Sequence, residues 1–317
     1  MKSLSQSLEE YLSLRRGLGF KLEQDGRLLS QFVSFLDGEG SPYITTELAV
    51  RWAVKPGNAQ PCHWARRLRV VRLFAEYRSV ADPRTEVPPP KLLPDRYRRT
   101  APYIYTDEQI MRLITATRDL PSTVRGTMGL RSRTYYTLFG LLSVTGMRVS
   151  EALSLNCEDV DLNKALLTVR GTKFGKSRHI PIHRTTQEVL RQYTCYRDGI
   201  YPAPKSFFIS ERGTRLGYCA VRSTFVRLSR EVGLRGLSDS HGPRMHDLRH
   251  RFAVNTLINW YKEGVDIDRR IHILSTFLGH VKFSYTYWYL SAVPELLQLA
   301  VSRLETLGKE DCHEDIP

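Results

Sequence analysis

Between Asp82 and Pro102 the chain carries Pro83, Pro88, Pro89, Pro90, Pro94 and Pro102, and no other stretch limits the fold as much. Each proline fixes φ and removes a backbone donor, so neither a helix nor a central strand passes through such a run. An extended, semi-rigid connector is expected instead. It divides a chain of 317 residues, more than one domain usually holds, into a first domain over 1–82, a linker over 83–103 and a larger domain over 104–308. Residues 309–317 read as a short acidic tail.

Before the prolines, the apolar residues recur at helical spacing: Leu4, Leu8, Tyr11 and Leu12, then Leu28, Leu29, Phe32, Val33 and Leu36. Thr45 or Thr46 is placed to cap a third helix through Trp52, and a fourth, from about Gln60 to Ser79, turns Leu68, Val71, Phe74 and Ala75 inward. Its other positions carry Arg66, Arg67, Arg69, Arg72 and Arg78, which we read as phosphate contacts in preference to a merely solvated face. Beyond the linker, Thr106-Asp107-Glu108-Gln109 is a capping sequence, Thr134–Ser143 a buried helical run, and Thr185–Tyr196 and Arg222–Val232 further helices. Leu166–Arg170 and His179–Ile182 are short strands joined through Gly171-Thr172-Lys173-Phe174-Gly175-Lys176, a hairpin. The expected fold is mainly α with a small antiparallel sheet.

Charge suggests the partner. There are 47 Lys+Arg against 33 Asp+Glu, a net of +14, with 17 against 11 up to residue 104 and 30 against 22 beyond it. Both parts are basic, which suits a polyanion such as double-stranded DNA gripped from two sides. The cysteines at 62, 157, 195, 219 and 312 include no C-x-x-C pair, so neither a disulfide framework nor a zinc knuckle is indicated and a reducing cytosol fits. No apolar leader and no membrane span is evident.

The residues suited to phosphate chemistry lie late in the chain. In the run His246-Asp247-Leu248-Arg249-His250 the first histidine and the arginine are three apart and share a helix face. Leu278-Gly279-His280 follows, and Tyr289 stands nine residues after His280. Upstream, Thr145-Gly146-Met147-Arg148 opens an amphipathic helix, and Lys173 rides near the hairpin tip. Phosphodiester cleavage needs charge stabilisation at the nonbridging oxygens, a nucleophile and an acid for the departing alkoxide. Arg148 and Arg249 offer forked, permanently charged donors, His246 and His280 add hydrogen bonds, and Tyr289 is the candidate nucleophile.

In this order and these local contexts the set resembles the tyrosine recombinase, or phage integrase, family over most of the chain. The resemblance implies a two-domain DNA clamp in which a helical core-binding domain precedes the catalytic domain. It implies that Arg148, Lys173, His246, Arg249, His280 and Tyr289 are catalytic, with Lys173 preferred to Lys176 because relatives carry the lysine early in the hairpin. Glu151, one turn after Arg148, becomes a partner orienting that guanidinium, with a surface ion pair as its alternative. The implied reaction joins the tyrosine to a DNA 3′-phosphate, frees a 5′-hydroxyl and passes through a Holliday junction, with no metal or other cofactor. The implied assembly is a homotetramer on paired sites, with or without other recombinase subunits, in a bacterial cytoplasm at the nucleoid. Thr286–Ala292 is closest to transposon-borne members, which points to an integrase or transposase.

Other readings stay open. A DNA-binding subunit that leaves catalysis to a partner, or a topoisomerase that nicks and reseals, would carry similar residues. His246 and His250 at i and i+4 approach the H-E-x-x-H of zinc hydrolases, though with Asp in place of Glu and no evident third ligand; a hydrogen-bonded structural role is the plainer expectation for His250. Tyr285 and Tyr287 are rivals of Tyr289. After Val293-Pro294, a helix over Glu295–Leu307 is too apolar for a free tail, and we expect it to project from the proline and dock on a neighbouring protomer.

Overall fold

The structure, a computed structural model, describes residues 2–95, 102–171, 177–239, 241–280 and 282–310, and for 291, 292 and 303–310 it describes the backbone alone. Lys173 and Lys176, at the hairpin tip, and 311–317 of the acidic tail therefore lie outside the described residues. The chain splits into two compact units, Met1–Thr100 and Ala101–Pro317. Among the described residues, no helix is long and apolar enough to cross a membrane.

The first unit contains α1 (Leu4–Gly17), α2 (Glu23–Gly38), α3 (Thr46–Val54) and α4 (Pro61–Ser79). Local chemistry sets their starts: Ser3 and Gln6 form a capping box on α1, Thr45 Oγ1 accepts from Leu48 N on α3, and Pro61 opens α4 where its missing N–H costs nothing. Leu8, Phe32, Leu36, Trp52, Val71 and Phe74 meet in the core. The start of the proline-rich segment folds onto this unit. Asp82 is buried and accepts from Arg78 at 3.4 Å and from Arg84 Nε at 2.9 Å, Glu86 N donates to Ile44 O at 2.8 Å, and Leu93 packs against the core. Proline chemistry gives an extended backbone; it is Asp82, as acceptor for two arginines, that fastens that backbone down.

The second unit is built around α6 (Leu130–Thr145), which follows α5 (Asp107–Ala116). Beyond the arginines of its first turn, α6 is buried around most of its circumference and contributes Leu130, Leu138, Phe139, Leu141 and Leu142 to the core. After α7 (Val149–Ser154) comes an antiparallel sheet of β1 (Val160–Asp161), β2 (Leu166–Val169) and β3 (Arg178–Pro181) in that spatial order. Its register pairs Leu167 with Ile180 and Val169 with Arg178 on the side that faces the core. α8 (Arg184–Ile200) and α9 (Tyr218–Glu231) complete one apolar cluster. α10 (Met245–Lys262), α11 (Ile267–Leu278), α12 (Ser284–Ala292) and α13 (Pro294–Glu310) form a second.

Two differences from the sequence reading matter. α11 was not expected, although Ile267, Ile271, Leu274 and Leu278 are spaced for it and Asp266 caps it. And the start of α13 packs on its own chain, with Val293 and Leu296 buried in the cluster of Val254, Leu257 and Tyr289. Pro294 is the first residue of the helix, where proline is tolerated, and starts the helix against α10 instead of breaking away from it.

Candidate active site

Four chain segments converge here, and their ends explain how. α6 stops at Gly146, whose φ of 59° suits glycine and whose added Cβ would lie 2.6 Å from Phe252. α11 stops in the same manner at Gly279 (φ 68°), with His280 N bonded to Ser275 O at 2.9 Å. Helix C-termini leave carbonyls unpaired within the helix, and the arginines take them. Arg249, buried on α10, donates from Nη1 to Gly146 O at 2.8 Å and from Nη2 to Leu278 O at 2.7 Å. Arg148, at the cap of α7, donates from Nη2 to Gly279 O at 2.9 Å and from Nη1 to Glu151 Oε1 at 2.7 Å. Successive carbonyls, 278 and 279, thus hold the two guanidinium groups side by side.

A third arginine joins them. Arg178 on β3 donates to both oxygens of Glu151, at 3.0 and 2.7 Å, and from Nε to Phe277 O at 2.9 Å. Burial opposes ionisation of Glu151, but the hydrogen bonds and charges of Arg178 and Arg148 outweigh it and bring its pKa to about 2. That single carboxylate cannot neutralise three guanidinium groups. The imbalance shows at Arg249, where burial first and the charge of Arg148 next lower the pKa to about 10. A buried surplus of cations is a site prepared for an anion.

Tyr289 is 2% exposed and reaches this cluster from α12. Its hydroxyl lies 2.8 Å from His250 Nδ1, and its ring stacks on that of His280 with centroids 6.4 Å apart. Tyr285 and Tyr287 are 40% and 44% exposed on the same helix. His280 Nδ1 pairs with Thr286 Oγ1 at 2.8 Å, so Nε2 is its nitrogen left to meet a ligand. His246 lies exposed on the first turn of α10, its ring edge-on to His250 at 4.8 Å. Asp247 between them is buried and caps α10, accepting from Arg244 N at 2.8 Å. Burial, and then neighbouring positive charge, holds the pKa of His250 at about 4 and that of His280 at about 3; both rings are neutral at physiological pH.

The arginines of α4 divide differently from the expectation. Arg67 is buried, its guanidinium 3.6 Å from the ring centre of Trp52 and donating to Trp52 O at 2.9 Å, so it is a core residue and not a phosphate contact. Arg66 bonds Gln24 and Asp25, each at 3.1 Å, and Arg72 lies 3.6 Å from Glu76. Arg69 is exposed. One site residue, Arg178, was missed from sequence, and another, His250, was given a structural role. Arg178 had a signal, since strand alternation places it on the same side as buried Ile180. His250 was seen, but its contact with Tyr289 depends on where α12 docks.

The Phage integrase family model matches residues 104–295, which include every candidate catalytic residue. The chain belongs to this family. A Sinorhizobium fredii protein named as an integrase/recombinase, y4rB, is 50% identical over 308 residues, covering 96% of this chain and 98% of its own. The tyrosine recombinase XerC of Thermodesulfovibrio yellowstonii is 28% identical over 254 residues, 78% of this chain and 77% of its own. Among solved structures, the Tn1549 transposon integrase in complex with transposon right end DNA superposes with a TM-score of 0.66 at 15% identity, covering 97% of this chain and 100% of that one; it shares the fold. The chain is thus a tyrosine recombinase, mostly helical with a small antiparallel sheet.

Proposed function

We propose that this recombinase acts at specific sites in double-stranded DNA as an integrase or transposase, cutting and rejoining strands through a 3′-phosphotyrosyl link on Tyr289. The observation that carries the reading is a buried tyrosine hydroxyl 2.8 Å from His250 Nδ1, its ring stacked on His280 and its charge felt by Arg249. Arg148 and Arg249 would hold the nonbridging oxygens of the scissile phosphate, and His246 and His280 would donate further hydrogen bonds to it. The Tyr289 oxygen attacks phosphorus, the sugar 5′-oxygen leaves, and Lys173 supplies its proton. Attack by a 5′-hydroxyl from a second duplex reverses the step on a new strand, which gives a Holliday junction. The bond energy is kept in the phosphotyrosyl link.

Two basic units suit a clamp around one duplex, and a homotetramer on two sites would bring the exchanging strands together. Arg66, Arg69 and Arg72 stay candidates for phosphate contacts from the first unit. The names of the relatives, an integrase/recombinase and a transposon integrase solved on transposon DNA, support the mobile-element role. The test uses candidate element-end DNA with a nick that traps the covalent intermediate. Wild type should give adducts that survive denaturation, and Tyr289→Phe should bind the DNA and give none. Adducts that persist in Tyr289→Phe, or that are lost in Tyr287→Phe instead, contradict the assignment.

A further inference from the structure

The reading above leaves unassigned the group that receives the proton of Tyr289. We infer that His250 is this group: its Nδ1 takes the phenolic proton as the Tyr289 oxygen attacks phosphorus. The inference rests on Tyr289 being the nucleophile.

The geometry points to His250 among the three histidines of the site. Its Nδ1 lies 2.8 Å from the Tyr289 hydroxyl, with ring centroids 5.5 Å apart and planes at 62°. His280 faces the same tyrosine by ring stacking and has its Nδ1 on Thr286. His250 is also fixed relative to the phosphate site. It follows Arg249 directly on α10, and Arg249 is pinned to the ends of α6 and α11 by two carbonyls. Trp288 closes the other side, its ring 5.9 Å from that of His250. Any phosphate held by Arg249 therefore has a fixed relation to the base as well as to the nucleophile.

The step balances. The Tyr289 O–H bond breaks and the Tyr289 O–P bond forms, the proton passing to Nδ1. The P–O5′ bond breaks with its electron pair going to the sugar oxygen, which is protonated by the acid. The imidazolium of His250 then returns its proton to the phenol oxygen when a 5′-hydroxyl displaces it. This requires the ring to carry its hydrogen on Nε2 beforehand, so that Nδ1 accepts from the hydroxyl.

DNA controls the strength of this base. The charged and titratable groups around His250 are His246, Asp247, Arg244 and Arg249 from α10 and its cap, Tyr289 from α12, and His280. Burial and the positive neighbours keep the ring neutral, able to accept a proton but weakly basic. A phosphodiester anion seated on Arg148 and Arg249 offsets that positive charge and raises the basicity of the ring. The phenol is thus activated when the phosphate is in place and stays protonated in the free protein.

The experiment is single-turnover adduct formation on nicked DNA at saturating protein, with His250→Asn. The asparagine oxygen stands where Nδ1 stood and accepts from the hydroxyl, but does not keep a proton. DNA retention should be unchanged and adduct formation about 100-fold slower, within the usual range for removing a general base. The deficit should shrink as pH rises toward phenol ionisation at about 10. A sulfur in place of the departing 5′-oxygen needs no acid, so it should not restore the rate. His250→Gln, read in the same way, covers the case in which the asparagine variant does not bind DNA. An asparagine variant that binds DNA and reacts within about threefold of wild type overturns the inference, as does restoration by the sulfur substrate, which would place His250 on the leaving-group side. Adducts surviving in a parallel Tyr289→Phe sample would instead remove the nucleophile assignment on which the inference stands.

Discussion

Arg67 of the first unit and Arg249 of the second are both buried guanidinium groups, each satisfied in part by main-chain carbonyls, and they do opposite things. Arg67 lies on the face of Trp52 and bonds its carbonyl, with apolar α4 neighbours around it. The electron-rich face of the ring attracts its charge, and although its buried Nε has no hydrogen-bond partner among the described residues, no second cation crowds it. Arg249 also bonds carbonyls, but it shares its surroundings with Arg148 and Arg178 and with one carboxylate, Glu151. Burial alone therefore does not mark a functional arginine. A buried arginine crowded by other cations, with too little acid to balance them, does.

Substitutions at the two positions should separate stability from chemistry. Arg249→Ala removes a phosphate donor and leaves Gly146 O and Leu278 O without it, so adduct formation should fall about 1000-fold or more per folded molecule. Arg67→Ala should lower stability by about 1–3 kcal/mol, yet leave the rate of the folded, DNA-saturated protein near wild type. Unfolding curves and single-turnover rates on the same samples measure both. Equal rate losses would erase the distinction. Arg148→Lys comes next: it keeps the charge and loses the fork that spans Glu151 and Gly279 O, so cleavage should fall about 100-fold with DNA binding nearly intact.

Arg178→Met sharpens the contrast from outside the phosphate contacts. Glu151 would keep its bonds from Arg148 N and Nη1 but lose its bidentate partner, loosening the Arg148 guanidinium, so the rate at saturating DNA should drop about tenfold while half-saturation hardly moves. A change confined to binding would put Arg178 on the DNA instead. The smallest effect belongs to the first unit's surface: Arg69→Ala should flatten the salt dependence of binding by about 0.9 in logarithmic slope if that side chain meets one phosphate. An unchanged slope leaves it in solvent.

The same contrast shows what the sequence disclosed. The helices were legible because their apolar residues repeat at 3.6, and the sheet because two short β-like runs flank the glycine-bearing loop 171–176. The candidate catalytic set stood out because its members sit in short motifs at fixed spacing. Arg67 was misjudged as one of a basic run, yet 67, 71, 74 and 78 fall on one helical stripe, so Arg67 and Arg78 share the inward face with Val71 and Phe74. The stripe was readable; the charge of the run drew attention away from it. His250 is a different case. Which histidine meets Tyr289 depends on the packing of α12 against α10, and no local pattern encodes a contact between residues 39 apart. Docking of α13 likewise depended on whether α10 and α12 left an apolar face for Leu296.

The central claim is that the cation surplus of the second unit exists to balance the charge of one phosphate. It is tested most directly by making that phosphate neutral. Arg148→Ala and wild type are compared on nicked DNA whose scissile phosphate is either natural or a methylphosphonate, which lacks the charged oxygen. On the natural substrate the variant should be slower by about 100-fold or more, and on the neutral substrate by less than about tenfold, since there is no longer a charge for the arginine to offset. An equal loss on both substrates would contradict the account and reduce Arg148 to a structural partner of Glu151, as Arg67 is of Trp52.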